Sequence, residues 1–228
     1  MNIFKHRGAM GDIIYSIPTI NALGGGILHI VKGSQYRFLK NLMALQPHIM
    51  IRSGSSGAIT HDLDLYREID KQVQQDQLIK HLAMCHAEAF GVECNIIDPW
   101  IEVDPIYIDD IIIARSPRYH DREEINWSLL CNYNVTMIGL PNDYNKFVKK
   151  AGFSPKLVRC RDALEIAQYI AGSKLFISNQ TLGFAIAEAM KHPRVLEVYY
   201  SKNNCQPHGT NGYTYLTEEL IGRYLNDK

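Results

Sequence analysis

The sequence predicts an α/β protein built as two halves, each a parallel sheet with helices on both faces. Three observations lead there. Short apolar runs alternate with helix-like stretches along the chain, the pattern of repeated βαβ units rather than of hairpins. Residues 174–198 give the clearest unit: an apolar strand (175–177), a polar turn, a helix rich in small residues, a stop at His192-Pro193, and at once a second apolar strand (195–198). Finally, Asp98-Pro99 and Asp104-Pro105 bracket a stretch that reads as a link. A residue before proline is pushed out of the helical region, and Asp-Pro opens turns. The predicted halves are 1–105 and 106–228. Right-handed crossovers set the strand-to-helix loops of each half along one sheet edge, so that the two sheets face each other across a cleft.

In chain order, the first half opens with a strand (2–5), a turn containing Gly8 and Gly11-Asp12, and a helix running to Leu23. Gly24-Gly25-Gly26 stops that helix, because glycine adopts the left-handed conformations of a C-cap without penalty. A strand (27–31), a helix (36–45) and a short strand (49–51) follow. The segment 52–59, with Ser-Gly-Ser-Ser-Gly, is a loop by composition. Residues 65–90 have helical character with a polar middle (70–77) that divides them. The second half begins with a strand at 111–114, then helix 123–131, strand 135–138, helix 142–150, strand 157–159 and helix 162–171. The 174–198 unit comes next, and a helix at 215–225 closes the chain.

Composition narrows the function classes. The 228 residues are 46% apolar, ordinary for a globular chain with a sizeable core. Lys plus Arg (24) equals Asp plus Glu (24), so no overall basic field draws the chain to nucleic acid or membrane. Nine His are scattered with no metal-ligand pairing, and five Cys (Cys85, Cys94, Cys131, Cys160, Cys205) contain no C-x-x-C. They read as unpaired thiols of a reducing compartment. No secretory signal is visible, and no apolar run approaches the ~18 residues of a membrane span. The expected location is the cytoplasm, without membrane insertion; a homo-oligomer is compatible with the sequence.

The turn after the 175–177 strand puts Asn179, Gln180 and Thr181 at a helix N-terminus, where unpaired N–H groups and the helix dipole favour a phosphate. It has neither the glycine fingerprint of dinucleotide folds nor the ending of a P-loop. The side chains of Asn179 and Thr181 serve a diphosphate or simply cap the helix. Asp12, in the turn after the first strand, either caps its helix or acts as a general base. The loop Arg115-Ser116-Pro117-Arg118-Tyr119-His120 follows a strand; its two arginines suit bidentate contact with phosphate oxygens or form a solvated basic loop. Glu188 faces a sugar hydroxyl or is an ordinary solvent-facing helix residue. Glu197, ending an apolar strand, is a carboxylate that needs a partner. Trp127 and the pair Tyr199-Tyr200 read as packing.

Several of these segments resemble one family. Gly8-Ala-Met-Gly-Asp12-Ile-Ile-Tyr-Ser-Ile-Pro18-Thr-Ile-Asn-Ala-Leu23 is similar to the opening of the heptosyltransferase-like glycosyltransferases. The strand and basic loop at 111–118, Trp127, Met137-Ile138-Gly139, the helix at 164–171 and the segment 175–198 follow in the family's order. The resemblance implies two Rossmann-like domains in the glycosyltransferase B arrangement: an acceptor domain at 1–105 and a donor domain at 106–228. It implies a nucleotide-diphosphate sugar as donor and a hydroxyl acceptor, a saccharide or alternatively a nucleic acid, with no cofactor and no catalytic metal. Carried over, Asp12, beside Gly11, is the acceptor-activating base. Arg115, Ser116 and Arg118 form the phosphate loop, and the turn from Asn179 to Gly183 meets the diphosphate. The chain departs from the family at Gln180-Thr181-Leu182-Gly183, where an acidic residue is usual, and the helix lacks the family's His. Glu188-Ala189-Met190 instead resembles the donor-ribose motif of other enzymes of this fold. The chain is also shorter than typical members, which implies trimmed acceptor elements. A non-catalytic nucleotide-sugar module, or an epimerase or hydrolase, is the alternative reading.

Overall fold

The computed structural model describes residues 1–54, 57–119, 125–202 and 204–225. In the first half, β1 (Asn2–His6), α1 (Met10–Ala22), β2 (Gly26–Ile30), α2 (Gly33–Met43), β3 (Ile49–Ser53) and β4 (His61–Asp62) precede α3 (Tyr66–Gln75) and α4 (Leu82–Ala89). In the second, β5 (Ile111–Ala114), β6 (Val135–Ile138), α5 (Pro141–Ala151), β7 (Lys156–Val158) and α6 (Ala163–Gly172) lead to β8 (Leu175–Ser178) and α7 (Leu182–Ala189). The chain then adds β9 (Arg194–Leu196), β10 (Gly212–Tyr213) and α8 (Glu218–Leu225).

The first sheet has the order β3-β2-β1-β4 and the second β10-β9-β8-β5-β6-β7. All their pairings are parallel. Counted from β5, the second sheet has the doubly wound order 3-2-1-4-5-6, and the first repeats its opening four strands. Each sheet therefore reverses direction once, between β1 and β4 and between β5 and β8. Ligands of such sheets collect outside the strand carboxyl ends at these points.

Strand β5 shows why the apolar run predicts a buried parallel strand. Ile111 and Ile113 pack into an outer cluster with Trp127 and Phe147, while Ile112 and Ala114 point into an inner one. The inner cluster is continuous between the halves, joining Phe4, Ile13 and Ile17 to Ile112, Phe176 and Ala185. Helix α1 packs on α7, and α2 on α6. Across the same interface Asn41 donates to the Asp162 carboxylate at 2.6 Å.

Pro18 lies inside α1, where its missing N–H leaves a carbonyl four residues back without a helical donor. That carbonyl, of Ile14, accepts the indole N–H of Trp100 at 3.3 Å. Trp100 belongs to the link between the halves, so a helix defect on one side is filled from the connecting segment.

Some expected elements differ. The helical stretch 65–90 divides into α3 and α4, with Gln77 at φ 53° between them. A left-handed residue there ends the helix, as the polar middle suggested. Strands β4 and β10, two residues each, are too short to carry a sequence pattern. Arg52 and Ser53 extend β3 rather than open the loop. The helix expected at 123–131 starts outside the described residues, and within them it is a 3₁₀ turn, Trp127–Leu130. Among the described residues no helix is long and apolar enough to cross a membrane.

Candidate functional site

The two switch points meet at one cleft of about 340 Å³. The first half supplies the start of α1 (Ala9 to Asp12), Tyr15, and Tyr66, Arg67 and Asp70 from α3. The second supplies Arg118 and Tyr119 after β5, Gln180 to Leu182 after β8, and Lys202, Asn204 and Cys205 after β9. Three cations (Arg67, Arg118, Lys202) and two carboxylates (Asp12, Asp70) line it. A larger groove of about 710 Å³ runs along α2 and β3, away from both switch points and from every predicted site residue.

Asp12 occupies the third position of α1, one turn after β1. Its Oδ2 accepts the Ala9 N–H at 2.9 Å, which is the returning half of a capping box, and also the Tyr66 hydroxyl at 2.8 Å. The cap and the cleft-facing position therefore coexist in one side chain. Gly11 lies beside it on the wall, its Cα side toward α7, where an added Cβ would meet Ala185 at 3.6 Å. Two helix N-termini, of α1 and α7, open on the cleft together.

The second half divides into residues that reach the cleft and residues that support it. Arg118, Gln180 and Thr181 reach it. Thr181 is the N-cap of α7, accepting the Phe184 N–H at 3.3 Å, and the Gln180 amide donates to the Lys202 carbonyl at 2.5 Å. Arg115 turns inward instead. It makes a bidentate pair with Glu197 (2.6 and 2.8 Å), with side chains 5% and 0% exposed. The expected phosphate contact at Arg115 is thus replaced by the partner that Glu197 needs. Asn179 is fully buried: its Oδ1 accepts the Ser116 N–H at 3.1 Å, and its amide donates to the carbonyls of Ser116, Arg118 and Tyr119. This side chain shapes the loop after β5, in which Ser116 Oγ accepts the Arg118 N–H at 3.3 Å, and in which Tyr119 is held at φ 57°. His120 lies outside the described residues. Gly183 is set by packing, since a Cβ would stand 2.9 Å from the Phe176 ring.

Glu188 is neither solvent-facing nor at the cleft. It is fully buried, bonded to Lys191 and, at 2.6 Å, to Arg194, with the His208 N–H at 3.3 Å and His81 Nε2 at 3.6 Å. Burial opposes its charge, but the His81 contact and the Arg194 and Lys191 cations outweigh it and hold the carboxyl down at about 2. Arg194 also donates to the carbonyls of His192, His208 and Thr210, so this cluster fixes the segment after β9 that brings Asn204 and Cys205 to the cleft. Asn204 in turn donates to Asp70 at 2.7 Å across the two halves.

Sequence reasoning missed Tyr66, Arg67, Asp70, Lys202 and Asn204. Lys202 carried a usable signal, because it follows a strand at the same sheet edge as the predicted loops. Tyr66 and Asp70 carried none, since α3 reaches the cleft through tertiary packing. Trp127 packs as expected, edge-on to Phe147 at 5.0 Å, whereas Tyr200 is 60% exposed. The five cysteines are free thiols. Among the described residues no group of three or more His, Cys, Asp or Glu could hold a metal ion.

No protein-family model matches the sequence, and a search of curated proteins gives no match. Solved structures do match in fold. A glycosyl transferase family 9 structure from Veillonella parvula aligns over 99% of this chain and 91% of its own, with TM-score 0.60 and 12% identity. The E. coli heptosyltransferase WaaC, solved with ADP, aligns over 100% and 99%, with TM-score 0.57 and 10% identity. The dodecameric iron-containing heptosyltransferase TibC from enterotoxigenic E. coli, solved with ADP-D-beta-D-heptose, aligns over 94% and 62%, with TM-score 0.57 and 12% identity. What this chain shares with them is the fold: two parallel α/β sheets in the glycosyltransferase B arrangement.

Proposed function

We propose that the chain is a glycosyltransferase that moves a sugar from a nucleotide-diphosphate donor to an acceptor hydroxyl. One observation carries this reading: a carboxylate at the switch point of one sheet faces cations and a helix N-terminus at the switch point of the other, across a single cleft. Asp12 takes the proton of the acceptor hydroxyl as that oxygen attacks the anomeric carbon, and the sugar–phosphate bond breaks. Arg118, Lys202 and the N–H groups at the start of α7 stabilise the charge on the departing diphosphate, the part that a metal plays in other transferases. Residues 1–105 form the acceptor side and 106–228 the donor side. Arg115, Asn179, Gly183 and Glu188 serve the site as its scaffold. The free thiols favour a reducing compartment, the cytosol.

The test is a melting screen against nucleoside diphosphates and their sugars, adenine nucleotides first because the neighbouring structures were solved with them. A ligand at 100 times its dissociation constant stabilises by about 2.7 kcal/mol. Stabilisation by nucleoside diphosphates but not by nucleosides is the expected pattern. A flat screen removes the reading. A shift without product formation from any donor and acceptor indicates a nucleotide-sugar holder instead, and free nucleotide released without acceptor indicates a hydrolase.

A further inference from the structure

The two oxygens of Asp12 are engaged unequally. Oδ2 accepts the Ala9 N–H and the Tyr66 hydroxyl, and a guanidinium nitrogen of Arg67 stands 3.7 Å from it. Among the described residues no hydrogen bond or ion pair engages Oδ1. Two donors converging on one oxygen from different elements fix the plane of the carboxylate as well as its place, because rotation about the last side-chain bond would break both.

Tyr66 is constructed for this contact. It is the first residue of α3 and only 3% exposed, and its ring lies 4.1 Å from that of His86 and 6.0 Å from that of His6. The 3₁₀ turn before it is capped by Asp62, which accepts the Asp64 N–H at 3.2 Å, so its backbone is fixed as well. Burial and the adjacent Asp12 charge push the phenol far above its ordinary value, so the hydroxyl remains a donor throughout the working pH range. The loop between β1 and α1 closes on the same oxygen. A Cβ on Gly8 would lie 2.8 Å from Asp12 Oδ2 and 2.5 Å from His6 Cε1.

We propose that Tyr66 is a positioning residue, whose hydroxyl holds Oδ2 of Asp12 so that Oδ1 is presented to the acceptor hydroxyl in the cleft. The proposal rests on the base role given to Asp12 above, and its test separates the two. Tyr66→Phe retains the ring on His86 and deletes only the donor. It lowers kcat about tenfold, the scale of one hydrogen bond to a charged group, and leaves KM for the donor sugar within about twofold. Added to Asp12→Asn it lowers kcat no further, because nothing remains to position. Full kcat in Tyr66→Phe beside an inactive Asp12→Asn overturns the positioning role and leaves the base role standing. Full activity in Asp12→Asn overturns the base role itself. A crystal structure of Tyr66→Phe gives a reading independent of turnover. The Asp12 carboxylate is expected to rotate or to divide between two rotamers, and a carboxylate unmoved from its wild-type plane overturns the proposal.

Discussion

The turn after β1 and the turn after β5 occupy the same place in their sheets, yet they send their charged residues in opposite directions. After β1, Asp12 stands on the cleft wall, held there by Ala9 and Tyr66. After β5, Arg115 folds back into the protein and pairs with Glu197. The cation that reaches the cleft comes from three residues later, at Arg118. Location at a strand end therefore does not settle a residue's role. The decisive factor is whether a buried partner of opposite charge lies within reach, because a carboxylate with no exposure draws the nearest guanidinium out of solvent.

This contrast can be broken most forcefully at Asp12. Asp12→Asn retains the shape and much of the hydrogen bonding, so transfer should fall by about 10²–10⁴ while nucleoside diphosphates still raise the melting temperature. Comparable turnover in wild type and variant would make the residue a cap and nothing more. At the other turn, Glu197→Ala leaves the Arg115 guanidinium buried and uncompensated. The expected loss is about 3–5 kcal/mol, or on the order of 10 °C in melting temperature. If calorimetry shows a change of only a degree or two, Arg115 has swung out to solvent and the inward turn is not rigid. Arg118→Ala sharpens the same comparison from inside one loop. It should weaken nucleoside diphosphate binding by about tenfold, as measured by titration calorimetry, with the melting temperature of the free protein within about a degree of wild type.

A further effect, spread over pH rather than tied to one contact, concerns one imidazole from each half. Burial lowers His192 to about 4, with the Arg194 charge adding to it, and lowers His86 well below its ordinary value, with His6 adding to it. The unfolded chain binds these protons near pH 6.5, so it takes up more protons than the folded state as pH falls. Stability is complete above pH 6.5 and declines toward pH 4, by about 1.4 kcal/mol per unit for each group. Melting curves between pH 7.5 and 5 read this slope, and His192→Gln and His86→Phe apportion it between the halves. A flat profile would mean that both rings take up protons in the folded state.

Much of the architecture could be read from the chain because parallel strands buried on both faces leave unbroken apolar runs such as 111–114 and 175–177. Strands β4 and β10 left no such mark. The site was half legible. Asp12, Arg118, Gln180 and Thr181 were visible because a strand-to-helix turn is a local feature, and its carboxyl-end position follows from handedness. The inward pairing of Arg115 with Glu197, the burial of Glu188 among Arg194, Lys191 and His81, and the arrival of Tyr66 at Asp12 depend on contacts between residues far apart in sequence. Charge and spacing alone gave Arg115 and Arg118 the same reading, and only tertiary packing separates them.

The indole of Trp100, bound to the carbonyl that Pro18 leaves open in α1, also has an ammonium above it, with Lys191 Nζ 4.8 Å from the ring centroid. The second tryptophan, Trp127, is enclosed in the outer cluster at 4% exposure. The protein thus carries an internal optical gauge. Emission from Trp100 registers the grip of the connecting segment on the helix that bears Asp12, against a background from Trp127 that the cleft does not touch.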